Sequence, residues 1–145
     1  MTTGMAEGFR QVFKASLPQI RYAFAYGSAV QQQAGYDADR TARAMVDLML
    51  VVRDSAAFHR ANLESNPGHY SWLMRTAQEG LRQRVQNSGA GVFFNTKVPF
   101  AGRRAKYGIV EEGVFVNDCL HWDTLYVAGR LHKPVSAIDG CFWSK

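Results

Sequence analysis

One carboxylate inside an apolar run constrains this chain more than any other feature. The stretch Ala44-Met45-Val46-Asp47-Leu48-Met49-Leu50-Val51-Val52 lacks strict polar–apolar alternation, which suits a strand covered on both faces. An ionised side chain in such a strand is costly unless something pairs with it. Arg43 or Arg53 would supply a structural partner; a hard cation such as Mg²⁺ would supply a functional one, because it prefers carboxylate oxygen. A second apolar run, Ile20 to Tyr26, breaks into Gly27-Ser28. A strand ending in this way can present bare backbone N–H groups and a hydroxyl to phosphates, while an acid on the neighbouring strand holds the metal. Together these features point to attack on a nucleoside triphosphate α-phosphate with loss of pyrophosphate.

The remaining pattern alternates helices and strands. Phe9, Val12 and Phe13 predict a short amphipathic helix over 7–16 running into Pro18. Ser28 to Gln33 is expected to begin a helix, and Gly35 to Arg40 to form an exposed loop. Asp54 or Ser55 is a good N-cap for a helix through about Leu63. A further helical region is expected over His69 to Gln86, with Leu73, Met74, Ala77, Leu81 and Val85 facing inward. Val92-Phe93-Phe94 reads as a strand, Gly102 as the turn of a hairpin whose second arm is Ala105 to Val110, and 112–130 as mainly helical. Residues 136–145 show no clear period. The fold class expected is α+β, a mixed sheet flanked by helices.

A chain of 145 residues with 47% hydrophobic and 20% charged residues can build one core. Its net charge of +5 favours an anionic partner: nucleotide, nucleic acid or acidic lipid surface. No stretch approaches the ~20 apolar residues that cross a bilayer, so membrane contact is expected to be peripheral. Cys119 and Cys141 fit no metal-ligand pattern, which makes a reducing compartment the simpler expectation. His59, His69, His121 and His132 show no ligand spacing either.

Candidate site residues are therefore Gly27 and Ser28 at the phosphate turn and Asp47 as catalytic metal ligand. Lys106, Arg130 and Lys133 are basic partners for a triphosphate or lipid headgroup. Polymerase β-like nucleotidyltransferases usually place a second acid two positions on, where period-2 geometry aims both at one metal pair. Met49 stands there instead, so the second acid must come from Asp37, Asp39, Glu111 or Asp118, or be replaced by water and phosphate oxygens.

Several strings, in order, resemble one family. They are Phe24-Ala25-Tyr26-Gly27-Ser28, Met45-Val46-Asp47, Phe58-His59-Arg60-Ala61-Asn62-Leu63 and His69-Tyr70-Ser71. Gly89-Ala90-Gly91-Val92-Phe93-Phe94-Asn95, Lys106-Tyr107-Gly108 and Trp122 to Leu131 follow. The set is similar to the mitochondrial CDP-diacylglycerol synthases of the translocator assembly and maintenance family, over about residues 20–135. The resemblance implies a polymerase β-like nucleotidyltransferase domain that joins CTP to phosphatidic acid, giving CDP-diacylglycerol and pyrophosphate with Mg²⁺ or a similar cation. It also implies a peripheral enzyme on the matrix side of the mitochondrial inner membrane, feeding cardiolipin synthesis, with no nucleic-acid partner. By the same resemblance Gly27 and Ser28 match the nucleotide-phosphate turn and Asp47 the metal-binding acid, while a Val near the position of Met49 is a family trait. Lys106, Arg130 and Lys133 match basic positions; His132 replaces a usual Gln. The expected organisation is an N-terminal helix over 1–19, the nucleotidyltransferase domain over 20–135 and a divergent tail over 136–145. The family's C-terminal helical domain is expected to be absent. A truncated chain of this kind admits an alternative reading, an inactive nucleotide- or membrane-binding remnant of the enzyme.

Overall fold

The computed structural model of the chain describes residues 3–27 and 44–138. Among the described residues, five strands make one sheet in the order β3-β4-β2-β1-β5. They are β1 Ile20–Tyr26, β2 Val46–Val52, β3 Val92–Phe100, β4 Arg103–Glu111 and β5 Val135–Ala137. β2 and β4 run parallel, and the other neighbours are antiparallel. The helices are α1 Thr3–Val12, α2 Ser55–Ser65, α3 Trp72–Thr76, α4 Glu79–Gln86, α5 Glu112–His121 and α6 Tyr126–Leu131. This is the expected α+β class with a mixed, helix-flanked sheet.

Strand periodicity sorts the side chains onto two faces. Ala23, Ala25, Val46, Leu48, Leu50, Tyr107 and Ile109 form one core with Phe9 of α1, Phe13 just after it and Phe58 of α2. Phe24, Tyr26, Met49, Val51 and Val110 form a second with Phe115, Val127 and Leu131 from α5 and α6. β2 is covered on both sides, as its unbroken apolar pattern predicts. Asp47 is its half-buried exception.

The local signals act where they are strong. Asp54 caps α2 by accepting from Ala57 N at 3.1 Å. Gly102, at φ +76, turns the β3–β4 hairpin. Gly108 has a packing role: a Cβ there would lie 2.8 Å from the Phe94 ring and 3.0 Å from Met49 Sδ.

One helical expectation is corrected. The region expected as one helix over 69–86 is a 3-10 turn, Pro67–His69, followed by α3 and α4 with a break at Ala77-Gln78. The Arg82 guanidinium donates to the carbonyls of Met74 and Ala77, closing the end of α3. Leu73, Leu81 and Val85, expected inside, are exposed, and the buried residue of α4 is Gln86. The region 112–130 is mainly helical, as expected, with a turn between α5 and α6. At the far end, β5 carries the sheet past residue 135, and Ile138 joins the first core. The expected helix over 28–33 and loop over 35–40 lie outside the described residues.

Gln86 anchors a buried polar chain that sequence pattern did not reveal. Its Nε2 donates to the carbonyls of Gly91 and Ile109, both at 2.9 Å, so its Oε1 must accept from His59 Nε2, also at 2.9 Å. Neutral His59 then accepts at Nδ1 from the Tyr70 hydroxyl at 2.8 Å. Asn62 Nδ2 donates to both Tyr70 and Tyr107. With Asn95 also donating to it, the Tyr107 hydroxyl sends its own proton to His69 Nδ1 at 2.8 Å. Every member is partnered, which is what makes so polar a core tolerable. Burial raises the Tyr70 phenol to about 12 and pushes Tyr107 up further.

Burial also lowers the pKa of His59 and of His69 below the ordinary 6.5. Below pH 6.5 the unfolded chain therefore binds protons that the folded chain refuses, so stability falls with falling pH. The expected slope is at most about 1.4 kcal/mol per pH unit for each histidine. Urea unfolding from pH 8 down to 5 measures it, and a flat profile would contradict the neutral network.

Candidate active site

Register assembles the site. Asp47 pairs with Tyr26 on β1 and, through the parallel ladder, with Lys106 on β4. Laterally paired residues project to the same side, so phenol, carboxylate and ammonium stand in one row on the face covered by α5 and α6. Gly27 follows directly: a Cβ at this position, φ +86, would sit 3.7 Å from Asp47 Oδ2. The glycine thus brings backbone alongside the carboxylate. Its own N–H is taken, however, donating to Pro134 O at 3.1 Å where β5 meets β1. The expectation of a bare amide at Gly27 is corrected accordingly. Ser28 lies outside the described residues.

The two cations near Asp47 rest on aromatic rings. Lys106 Nζ lies 4.4 Å from the centre of Phe94, the ring that the missing side chain of Gly108 admits. Arg130 lies with Cζ 4.8 Å from the centre of Tyr126 and 5.8 Å from that of Tyr26. Its Nη2 donates to the Tyr126 hydroxyl at 3.3 Å, while its Nε is buried without a partner among the described residues. Phe94 meets Tyr126 edge-on at 6.0 Å, linking the two seats. A cation over a neutral ring keeps its charge for an incoming anion, whereas a carboxylate partner would cancel it. Among the described residues no ion pair within 4.0 Å occupies Asp47, Lys106 or Arg130.

The electrostatics agree with this proximity. Burial, and then the Asp47 charge, raise the Tyr26 phenol to about 12. The Tyr126 hydrogen bond holds the Arg130 guanidinium firmly protonated, and the nearby charge of Asp47 adds to this. Lys133 is exposed, next to the Pro134 that anchors Gly27; its N–H donates to Arg130 O. The structure thus gathers Gly27, Asp47, Lys106 and Arg130, and leaves Lys133 at the margin. Sequence reasoning missed Tyr26, Phe94 and Tyr126. The spacing of Tyr126 four residues before Arg130 on one helix was the available signal.

Of the candidate second acids, two are committed elsewhere. Glu111 pairs with Val52 at the opposite end of β2 and accepts from Ser55 N at 3.1 Å and Ser55 Oγ at 2.6 Å. Asp118 is buried and accepts from the amides of Thr124, Leu125, Val127 and Ala128 and from the Thr124 hydroxyl. Desolvation works to raise its pKa, but the Ala128 amide, the Thr124 hydroxyl and the Thr124 and Val127 amides outweigh it and hold the carboxyl at about 2. Asp37 and Asp39 lie outside the described residues. Among the described residues no group of three His, Cys, Asp or Glu side chains converges as a metal cage. Asp47, half-buried and without an ion pair among the described residues, still fits a hard cation that takes its other ligands from water and phosphate.

Asp118 makes the tight turn that aims α6, and with it Arg130, at the row. Trp122 and Leu125 adopt left-handed backbone at φ 57 and 58 around it. Replacing Asp118 by Asn turns an amide NH₂ toward backbone donors, so Asp118→Asn is expected to cost about 2 kcal/mol, a Tm loss of several degrees. The wild-type advantage is complete above pH 3.8 and disappears as pH falls through about 2, which acid titration of both proteins measures.

Comparison with known proteins meets this geometry at the same segments. The family described as mitochondrial phosphatidate cytidylyltransferase matches residues 9–141. Proteins named "Phosphatidate cytidylyltransferase, mitochondrial" are similar in sequence. That from Xenopus laevis is 41% identical over 130 residues, covering 90% of this chain and 38% of the relative. The Homo sapiens protein is 39% identical, covering 90% of this chain and 29% of the relative. The Drosophila melanogaster protein is 40% identical, covering 88% and 40%. The chain thus spans about two fifths, or less, of the length of these relatives. A match running from the buried Phe9 past β5 embraces the whole described sheet, and the chain belongs to the mitochondrial phosphatidate cytidylyltransferase family.

Proposed function

We propose that this chain carries the nucleotide-activating site of an enzyme that transfers a cytidylyl group from CTP to phosphatidic acid, releasing pyrophosphate. The observation that carries the reading is the Tyr26–Asp47–Lys106 row, with Arg130 seated on aromatic rings beside it. The relatives' names support the substrate classes, and the relatives are named mitochondrial. Among the described residues no helix is long and apolar enough to cross a membrane. Peripheral work on the matrix face of the inner membrane, toward cardiolipin, accords with that and with the net charge of +5.

The reaction is in-line. A phosphatidate oxygen forms a bond to the CTP α-phosphorus as the bond to the α–β bridging oxygen breaks, and that oxygen leaves with pyrophosphate. The nucleophile is already an anion, so no side chain has to remove a proton. Asp47 would hold Mg²⁺ or a similar cation, whose contribution when bound is to neutralise phosphate charge. Lys106 and Arg130, held apart by Phe94 and Tyr126, offset the charge that gathers on the leaving group. Gly27 lets the triphosphate approach the strand end without a side chain in the way. Positioning and charge neutralisation supply the catalysis.

A thermal-shift assay of this chain with CTP and Mg²⁺ tests the reading. Saturating nucleotide at about a hundred times Kd stabilises by about 2.7 kcal/mol, so the melting temperature should rise by several degrees only when both are present. Asp47→Asn is expected to abolish the rise and, in an enzyme of the relatives' length, to lower kcat by at least about a thousandfold. Wild-type-like cytidylyl transfer by that variant would remove the metal role.

A further inference from the structure

An open groove of about 830 Å³ lies one step outward from the Asp47 row, lined by Met45, Lys97, Pro99, Phe100, Arg103 and Arg104. Nothing described so far uses it. Strand alternation ties it to the site: Met45 precedes Asp47 by two residues and Arg104 precedes Lys106 by two, so each projects to the same face as its partner in the row. Pro99 pairs with Arg104 across the hairpin and shares that face, while Ala105 and Val98 between them are buried in the opposite core. Two residues of strand are about 7 Å. A register irregularity between Asn95 and Val98, with Lys97 at φ 59, bends β3 at the groove wall. Arg104 and Lys97 are exposed there, and Met45 is 43% exposed.

The lining is therefore amphiphilic: cationic heads beside apolar side chains, opening to solvent, with Met45 and Arg104 each two residues along the strand from the catalytic row. The cations suit a phosphomonoester, and the apolar side chains suit the lipid that carries it. We propose that this groove is the acceptor subsite, receiving a bilayer phosphatidate. Arg104 and Lys97 take the doubly charged phosphomonoester, and Met45 and Pro99 take the glycerol and the first acyl methylenes. The inference rests on the cytidylyl-transfer reading, since that reading makes the second substrate a phosphomonoester lipid.

Cosedimentation of the chain with phosphatidylcholine vesicles containing phosphatidate, or phosphatidylserine at matched surface charge, tests it. Wild type is expected to prefer phosphatidate. The Lys97→Gln, Arg104→Gln double variant should bind those vesicles at least about tenfold more weakly, a loss of about 1.4 kcal/mol, and keep its CTP–Mg²⁺ thermal shift. The double variant Lys14→Gln, Arg53→Gln carries the same charge change outside the groove and should retain the preference. Equal binding to the two anionic lipids, or equal losses in the two double variants, would overturn the groove. A preserved phosphatidate preference with no CTP–Mg²⁺ shift in any protein would instead overturn the nucleotide site and leave the groove standing. Circular dichroism confirms folding; should the groove double variant unfold, Arg104→Lys serves in its place, expected to weaken phosphatidate binding by removing the planar fork, and unchanged binding would overturn the subsite.

Discussion

The parallel ladder between β2 and β4 is the interaction on which the rest of the molecule depends. It sets Lys106 beside Asp47 and leaves Tyr26 on the carboxylate's other flank. A slip of one residue would send Lys106 into the core of Phe13 and Phe58 and bring Tyr107, with its hydroxyl network, to the site face. The register is held because both faces of the sheet are buried with different chemistry. One face carries hydroxyl, amide and imidazole groups that fit only each other, and the other carries rings and cations.

That division of labour explains how an acid survives in an apolar strand. Asp47 lies near the strand end, half-buried, where Gly27 leaves room and two cations stand close without closing an ion pair. Asp118, by contrast, is an acid wholly used in building the fold. Five hydrogen bonds bind it to the turn that leads into α6. The two carboxylates differ because one is saturated by hydrogen-bond donors and the other has no ion pair among the described residues. Aromatic seats for Lys106 and Arg130 extend the same logic to the cations.

Much of this was legible in the residues. The apolar run with its single acid marked β2, and the run ending in Gly27 marked β1, because burial on two faces leaves no alternation to misread. The capped start of α2 followed from Asp54, and the hairpin from Gly102. The helix expected over 69–86 failed because its apolar residues were taken to face the core. Its inward group is Gln86, chosen for two backbone carbonyls and a histidine that come from distant parts of the chain. No periodicity announces a buried amide whose partners are set by tertiary contact. For the same reason Glu111 and Asp118 looked available as metal ligands until their partners were seen.

The sequence by itself determined the alternation of elements, the acid in the second strand, the glycine at the end of the first, and the family that those strings resemble. These are local facts, written in hydrophobic period, capping chemistry and residue order. Tertiary structure alone decided that Lys106 joins Asp47 rather than the core, that Arg130 is held by Tyr126 and Tyr26, and that the Gly27 amide is spent on Pro134. Each is a long-range pairing. Which strand lies beside which depends on the free energy of packing the whole sheet, and no short window of residues contains that quantity.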